Sequence, residues 1–449
     1  MPVIDKTIEE PANTSLPPVE EPESNRSPST TERIFLAHRG GKIRVAGKFP
    51  IDGPETLSLI YTPGVGHVCQ AIAADPAQAY QVTGKGNSVA VVTDGSAVLG
   101  LGNLGPQAAL PAMEGKAMLF RQLAGIDAWP ICLNTQDPDE IVRTVATIAP
   151  GFGGIHLEDI SAPRCFDIER RLQDTLSIPV MHDDQHATAV VILAALHNAL
   201  KVTGRRLDQV TIVVNGLGAA GTACCQLLLA AGATYLRGCD RRGLVLTGRP
   251  QALRRARELL PDIIRYDRPM GTLRDALQGA HVFIGVSAGN VLTSDDLKLM
   301  AHDPIVFALA NPDPELPPEL GYQHCRIYAT GRSDHPNQIN NLLAFPGMFR
   351  GALDARATTF NEPMLLAAAS ALANLVPAQS LCESRIIPSA FDPLVVPAVA
   401  KAVSQTARET GVASRGKTPG SPIGVGGDRG RGATGRSPLP EKPSTSPPL

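Results

Sequence analysis

Two short acidic segments carry the most evident chemistry in this chain of 449 residues. Glu158 and Asp159 come directly after a short apolar run, and Asp183 and Asp184 follow the next such run. Both runs are typical of buried strands, and neighbouring parallel strands bring their carboxyl ends to one edge of a sheet. Carboxylates gathered there repel one another unless a proton or cation compensates. Their hard oxygen atoms favour Mg²⁺ or Mn²⁺, so the sequence predicts a divalent-metal site.

Two other interpretations of these segments stay open. A single acidic residue is more often a helix cap or a surface group than a metal ligand. His182 and His186 have the i, i+4 spacing of zinc ligands on a helix, but the HExxH pattern is absent. A zinc hydrolase is therefore the weaker alternative, and we expect both histidines to be structural or to support the ligands.

A lysine and a tyrosine are candidate proton carriers. Lys116 has helical spacing from Ala109, Met113 and Phe120, which places it on or beside an apolar stripe. A lysine there usually extends to water, but beside a divalent cation and partly desolvated it would favour the neutral amine of a general base. Tyr61 ends an apolar run before a tight turn, which predicts a hydroxyl at a strand end. Core packing is the ordinary role of a single tyrosine.

A GxGxxG motif follows a β-branched run and opens an Ala-rich helix, the context in which such glycines bind a dinucleotide pyrophosphate. Its candidate binding residues are Gly216, Gly218, Ala219, Ala220 and Gly221. Asp240 follows the next predicted strand, where an acid binds ribose hydroxyls, and it favours NAD. Arg241 and Arg242 come next and could contact a 2′-phosphate, so NADP stays possible. The alternative is a glycine turn in an ordinary core with an incidental aspartate.

The elements that must position these residues have α/β character, because short β-rich runs alternate with longer Ala/Leu-rich stretches. We expect strands at 89–93, 154–157, 179–181, 210–214, 235–239, 281–286 and 305–310, and helices at 110–123 and 219–231. The predicted organisation is a catalytic α/β domain at 31–180, then a Rossmann-like dinucleotide-binding domain with a mostly parallel sheet at 181–411. Polar tails at 1–30 and 412–449 are expected to be disordered.

Composition narrows the class of partner. The formal net charge of −2 comes from charges of both signs spread along the chain, which gives no basic stripe for nucleic acid and no membrane patch. The longest apolar stretch, 187–196, is too short to span a membrane, and no signal peptide is evident. The 8 cysteines show no CxxC pair, so we expect reduced packing residues, a cytoplasmic location and a small-molecule partner.

Several segments together resemble the malic enzymes of the short bacterial and archaeal type. They match in order and spacing from about residue 40 to about residue 400. The matching segments are YTPGV from Tyr61, VTDG from Val92, LGLGNLG from Leu99, MEGK from Met113, LED from Leu157, HDDQH from His182, ANPDPE from Ala310 and SDHPNQINN from Ser333.

The resemblance implies oxidative decarboxylation of L-malate to pyruvate with NAD or NADP and Mg²⁺ or Mn²⁺, and it implies a homodimer. It implies that the metal is bound by the acids Glu158, Asp159 and Asp184, with Asp183 supporting the lysine or the metal shell. Lys116 would take the proton of the malate C2 hydroxyl, and Tyr61 would protonate C3 of the enolpyruvate. Asn311 and Asn341 would contact malate.

Two departures from longer relatives qualify the resemblance. Ala97 stands where animal-type enzymes carry an arginine before the LGLG run, so the group that binds the malate C4 carboxylate is not identified. The chain ends before any acetyltransferase-like domain, so control through such a domain is not expected. Two rival functions stay open: non-redox decarboxylation of malate to lactate, and a non-catalytic protein that binds a dinucleotide.

Overall fold

The computed structural model describes residues 29–248 and 271–414. Apart from 29–30 and 412–414, the predicted disordered tails lie outside the described residues. The described chain contains two sheets, which share part of one hydrophobic core. No helix within it is long and apolar enough to cross a bilayer.

The first described segment is helical and lies at the surface. Its helices are α1 (Thr30–His38), α2 (Pro54–Ile60), α3 (Gly64–Ala74) and α4 (Ala79–Val82). None of the four contains a buried residue. The apolar run that ends at Tyr61 is therefore a helix, and the predicted strand there is wrong. Pro54 at the first helical position starts this helix, because its fixed φ suits that position and its missing N–H is not needed there.

The first sheet has four parallel strands in the order β2-β1-β3-β4. They are β1 (Ser88–Thr93), β2 (Asp127–Cys132), β3 (Gly154–Leu157) and β4 (Val180–His182). The connecting helices are α5 (Pro106–Ala124), α6 (Pro138–Ile148) and α7 (Arg164–Thr175). The side chains of β1 alternate between two hydrophobic clusters, so both faces of this sheet are covered.

Helix α8 (Asp183–Val202) begins directly after β4 and leads to the second sheet. That sheet has the order β10-β9-β8-β5-β6-β7. Its strands are β5 (Thr211–Asn215), β6 (Tyr235–Asp240), β7 (Gly243–Gly248), β8 (Val282–Gly285), β9 (Ile305–Ala308) and β10 (Ile327–Thr330). All pairs are parallel except β6 with β7, which agrees with the mostly parallel sheet that the sequence predicts.

The remaining helices pack around the second sheet and against α8. They are α9 (Ala219–Ala230), α10 (Leu273–Leu277), α11 (Ser294–Leu297), α12 (Pro318–His324), α13 (Phe345–Ala355), α14 (Glu362–Asn374) and α15 (Val395–Glu409). One hydrophobic cluster contains Val91 of β1, Ile192 of α8 and Val214 of β5. The predicted domain boundary near residue 180 stays a prediction, since this core is continuous across it.

Candidate active site

Four acidic residues meet at the carboxyl edge of the first sheet. Leu157 of β3 is paired with His182 of β4, so the residues that follow these two strands are neighbours. One carboxylate oxygen each from Glu158, Asp159 and Asp184 can be chosen so that all three lie within 4.8 Å of one another. Glu158 and Asp159 are buried, and Asp184 is half-buried. The structure thus brings together the three acids that the family resemblance implies as metal ligands.

Backbone geometry fixes Asp159 in this cluster. Its φ of 55° is in the left-handed region, which non-glycine residues occupy rarely and mostly at tight turns. Its amide donates to Asp184 Oδ2 at 3.2 Å, and the amide of Leu99 donates to Asp159 Oδ1 at 3.2 Å. The other oxygen, Oδ2, is buried without a hydrogen-bond partner among the described residues. One acceptor therefore faces the cluster with its capacity unused.

Electrostatics inside the cluster is unfavourable without a compensating positive charge. Burial and the charges of Glu158 and Asp184 raise the pKa of Asp159 to about 8. Burial also raises the pKa of Glu158 well above its usual value, although Lys116 works in the opposite direction. A bound cation would restore the ionised form of each acid, so these residues could hold one.

Lys116 of α5 contacts two of the acids. Its Nζ lies 2.5 Å from Asp183 Oδ2 and 3.2 Å from Glu158 Oε1, and it stands 4.4 Å from the centre of the Phe345 ring. Burial alone would lower the pKa of Lys116, but the charges of Asp183 and Glu158 outweigh it and raise the pKa above its usual value. The shift is opposite to the one expected for a lysine beside a cation, because in this arrangement two anions surround the ammonium.

Asn341 joins the same network from the far part of the chain. Its Nδ2 donates to Asp183 Oδ2 at 2.5 Å, so Asn341 and Lys116 share one acceptor atom. The other predicted asparagine, Asn311, follows β9 and is exposed. Its backbone oxygen would lie 3.1 Å from a Cβ added to Gly100, so the glycine-rich loop after β1 approaches the end of β9 closely.

Tyr61 is placed differently from the other candidates. It is the residue at which α2 ends and is 65% exposed, which is neither a strand end nor a core position. Within residues 29–248 and 271–414 its hydroxyl has no hydrogen-bond partner. The structure of a single chain therefore does not bring Tyr61 into the acidic cluster.

Three histidines and a glutamate surround the acids. His156 Nε2 lies 2.6 Å from Glu158 Oε2, and burial lowers the pKa of His156 to about 3, so the imidazole is neutral. His182 Nε2 lies 3.2 Å from the backbone oxygen of Ile160. His186 Nε2 lies 3.0 Å from Glu169 Oε2. These contacts give all three histidines partners within the protein, as expected for His182 and His186.

Sequence reasoning missed His156 and Glu169. The only signal for His156 is a polar residue inside an otherwise apolar strand, which predicts a buried partner on a neighbouring element. Glu169 has no such signal, since it lies in the middle of a helix with many charged residues. Its proximity to the site appears only when α7 is packed against the end of β4.

The glycine motif has the geometry of a dinucleotide-binding turn. Gly216 has φ 101°, and a Cβ there would lie 2.5 Å from the backbone oxygen of Val286. A Cβ on Gly221 would lie 2.0 Å from the oxygen of Gly216, so only glycine lets α9 pack this closely. Around Gly218 the space is open. Since α9 begins at Ala219, its free N–H groups and the positive end of its dipole face that space.

Asp240 ends β6, as predicted, and its carboxylate is already engaged. The backbone amide of Arg242 donates to Asp240 Oδ1 at 2.8 Å, and Arg242 Nε donates to Asp240 Oδ2 at 2.8 Å. Arg241, between them, is exposed. The carboxylate and the guanidinium therefore form a single polar unit in the β6–β7 turn.

Comparisons with known proteins show the family to which the chain belongs. Residues 41–173 match the family model described as malic enzyme, N-terminal domain. Residues 185–318 and 323–408 match the model described as malic enzyme, NAD binding domain. The crystal structure of the NAD-dependent malic enzyme from Thermotoga maritima superposes with a TM-score of 0.76 and 48% identity, over 84% of this chain and 99% of that one.

Two relatives cover most of both chains. The NAD-dependent malic enzyme of Geobacillus stearothermophilus is 54% identical over 407 residues, which are 90% of this chain and 83% of the relative. The bifunctional malic/malolactic enzyme of Bacillus subtilis is 51% identical over 374 residues, or 83% and 91% of the two chains. Further relatives are named NADP-dependent malic enzyme. With both family models matched along its length, this chain belongs to the malic enzyme family of nicotinamide-dependent oxidoreductases.

Proposed function

We propose that the protein oxidises and decarboxylates L-malate to pyruvate and CO₂ while it reduces NAD, with Mg²⁺ or Mn²⁺ as its metal. The observation that carries this proposal is the position of Lys116, in contact with two carboxylates of an acidic cluster at the carboxyl edge of a parallel sheet. A proton carrier beside a candidate metal site supports this chemistry, and the relatives supply the reaction class.

The acids Glu158, Asp159 and Asp184 fit a divalent cation of the hard type. All three offer oxygen, which Mg²⁺ and Mn²⁺ prefer, and Asp159 Oδ2 is buried without a partner among the described residues. His156 orients Glu158, and the Asp159 amide orients Asp184. A bound dication would act as a Lewis acid toward the C2 oxygen and C1 carboxylate of malate.

Lys116 is the proposed base. It takes the proton of the C2 hydroxyl while the C2 hydride leaves for the nicotinamide, and the C3–C4 bond then breaks to release CO₂. The base must first be neutral, and a cation that engages Glu158 would lower the pKa of Lys116, which Asp183 and Glu158 together raise. Asp183 orients Lys116 by their 2.5 Å contact, and Asn341 and Asn311 are the proposed malate contacts.

Tyr61 is the proposed acid that protonates C3 of the enolpyruvate. Its exposure means that another surface has to bring it to the substrate. We infer a homodimer, which is supported by exposed apolar side chains on α1 and α2, the first two described helices. These include Phe35 at 73%, Leu59 at 71% and Ile60 at 41% exposure. Apolar area of this kind is typical of a subunit interface.

For the cofactor we favour NAD over NADP, because Asp240 ends β6 where a carboxylate accepts from ribose hydroxyls and repels a 2′-phosphate. A reducing compartment such as the cytoplasm is also part of the proposal. It is supported by the cysteines, all eight of which lie in the described residues and are free thiols.

Malolactic decarboxylation is the second candidate function, and it rests on the name of the Bacillus subtilis relative. This reaction yields lactate, whereas the main proposal yields pyruvate. A non-catalytic dinucleotide-binding protein is disfavoured, since Lys116 and all the acids are present and converge.

The test is to incubate the purified protein with L-malate, Mn²⁺ and either NAD or NADP, and to record absorbance of the reduced nicotinamide while the products are identified. We expect pyruvate and reduced cofactor in equal amounts, with faster rates for NAD. Lactate without net reduced cofactor would support the malolactic alternative, and no turnover with either cofactor would refute both.

A further inference from the structure

Glu169 of α7 occupies a buried position directly behind the acidic cluster. It is 5% exposed, and both of its carboxylate oxygens are turned toward the junction of β4 and α8. Neither the family matches nor the residues of the proposed reaction assign it a role. A buried carboxylate costs free energy unless several donors satisfy it, so its donors indicate what it does.

Three donors from one short segment satisfy Glu169. The amide of His182 donates to Oε1 at 2.7 Å, and Gln185 Nε2 donates to Oε2 at 3.0 Å. His186 Nε2 lies 3.0 Å from Oε2. These donors lie immediately before and immediately after Asp183 and Asp184, so Glu169 contacts the segment on both sides of the two acids.

The start of α8 has little other support. His182 is the residue that precedes the helix, and its side chain forms no capping hydrogen bond. The first turn contains Asp183 and Asp184, whose side chains point to Lys116 and to the Asp159 amide instead of capping the helix. Glu169 therefore binds the residue that precedes the helix and two side chains of its first residues, and these contacts fix the direction in which the acids project.

We propose that Glu169 is a positioning residue for the metal centre: it binds the β4–α8 junction and thereby sets the geometry of Asp184 and Asp183. The inference rests on the proposed metal-dependent function. Residues that hold metal ligands in position without contacting the metal themselves are common, and their loss typically weakens metal binding by about 10-fold to 100-fold. Glu169 itself does not contact the metal.

The test compares Glu169→Gln with the wild-type protein by electron paramagnetic resonance, which measures free Mn²⁺ directly and does not depend on turnover. We expect the dissociation constant for Mn²⁺ to rise by about tenfold or more in the variant. Turnover should fall at low Mn²⁺ and recover at saturating Mn²⁺, since a higher metal concentration compensates for weaker ligands. The metal-free variant must also show the circular dichroism spectrum of the wild type, because saturating Mn²⁺ would rescue a variant that is only less stable as well.

Asp167→Asn is the matched control, because it removes a carboxylate from the same helix two residues away. Asp167 pairs with Arg170 and Arg171 at the surface and makes no contact with α8 among the described residues. The Mn²⁺ affinity of the Asp167→Asn variant should equal that of the wild type. Equal Mn²⁺ affinity in folded Glu169→Gln would overturn the inference, whereas failure of the wild type to bind Mn²⁺ would overturn the proposed function instead.

A double-mutant cycle with Gln185→Leu tests whether Glu169 acts through this segment. If it does, Glu169→Gln should weaken Mn²⁺ binding less in the Gln185→Leu background than in the wild type. Fully additive effects of the two substitutions on Mn²⁺ binding would contradict the proposal that Glu169 acts through this segment.

Should Glu169→Gln fail to fold, the single variants Gln185→Leu and His186→Gln replace it. Each is expected to weaken Mn²⁺ binding about threefold, as a partial loss of this support, and unchanged affinity in both would reject the inference.

Discussion

Lys116 is enclosed on several sides by groups that favour its charged form. Two carboxylates lie within 3.2 Å of its Nζ, and the ring face of Phe345 lies beneath it. Asn341 donates to the same oxygen of Asp183 and so limits where that carboxylate can move. The lysine is therefore rigidly placed, and its protonation state depends on which groups engage its two anionic neighbours.

Replacing Lys116 with alanine should lower kcat by about 100-fold to 10,000-fold, the usual contribution of a general base. Initial rates with malate, Mn²⁺ and NAD measure the effect. Mn²⁺ affinity, followed separately, should persist or improve, because Glu158 loses a competing cation. Arg121→Ala is the control, since Arg121 lies on the same helix with its side chain 65% exposed. Turnover within about twofold of the wild type would remove Lys116 from the mechanism.

Strand ends carry most of the chemistry in this molecule, and the turn after β6 shows how one of them can select a cofactor. Asp240 and Arg242 form a two-point contact across the turn from β6 to the antiparallel β7. The pair presents an acceptor for ribose hydroxyls and keeps the guanidinium of Arg242 close to the carboxylate. Removing the acid would remove both that ribose acceptor and the negative charge that repels a 2′-phosphate.

Asp240→Ala should therefore shift cofactor preference toward NADP. Loss of one charge-assisted hydrogen bond to ribose costs about 1.5–3 kcal/mol, so the ratio of kcat/KM for NAD to that for NADP should fall by about tenfold or more. Steady-state kinetics with both cofactors provides the measurement. Arg242→Ala, the companion variant, should show no gain in NADP use, and a preference unchanged in Asp240→Ala would argue against this position as the selector.

Two uniformly buried strands of the first sheet are among the elements that the sequence predicted correctly. β1 and β3 are apolar along most of their length, and the structure places them within one residue of the prediction. The edge strand β2 escaped prediction because it contains Pro130 and is only half-buried. The run before Tyr61 was misassigned because a short apolar segment has no periodicity that separates a helix from a strand.

Predictability of the site follows the same logic. Acids that directly follow strands converge by topology alone, so the acids at 158–159 and 183–184 could be grouped from their positions in the sequence. The choice of Glu158, Asp159 and Asp184 as the metal ligands came from the family resemblance. Glu169 and His156 could not, since their importance depends on which side chains face each other across packed elements. Tyr61 lies exposed at the end of α2, and no pattern in the sequence specifies which groups would contact it.

Across the whole molecule, α8 connects the catalytic edge of one sheet to the core beneath the other. It starts at Asp183, and most of its residues are buried. Near its other end Asn198 is 1% exposed, and its Nδ2 donates to the backbone oxygens of Ala373 at 2.8 Å and Ile386 at 2.9 Å. One amide thus links the helix to two segments that follow the second sheet.

Asn198→Leu should destabilise the protein by about 2–4 kcal/mol, because two buried carbonyl groups lose their donor. The unfolding midpoint in urea should fall, with little change in KM for malate if the active site stays intact. His197→Gln on the same helix is the comparison, since His197 is only partly buried. A urea midpoint unchanged in Asn198→Leu would mean that water or a backbone shift satisfies both carbonyls.

The left-handed backbone of Asp159 and its repulsion by Glu158 and Asp184 lower the free energy of unfolding of the metal-free chain, because no cation compensates for them. Asparagine tolerates the same backbone conformation and carries no charge, so Asp159→Asn should make the metal-free protein harder to unfold while it weakens Mn²⁺ binding. A residue proposed to bind the metal would then oppose folding until a dication is bound. In a cell, the lifetime of the enzyme against proteases would consequently rise and fall with the supply of manganese or magnesium.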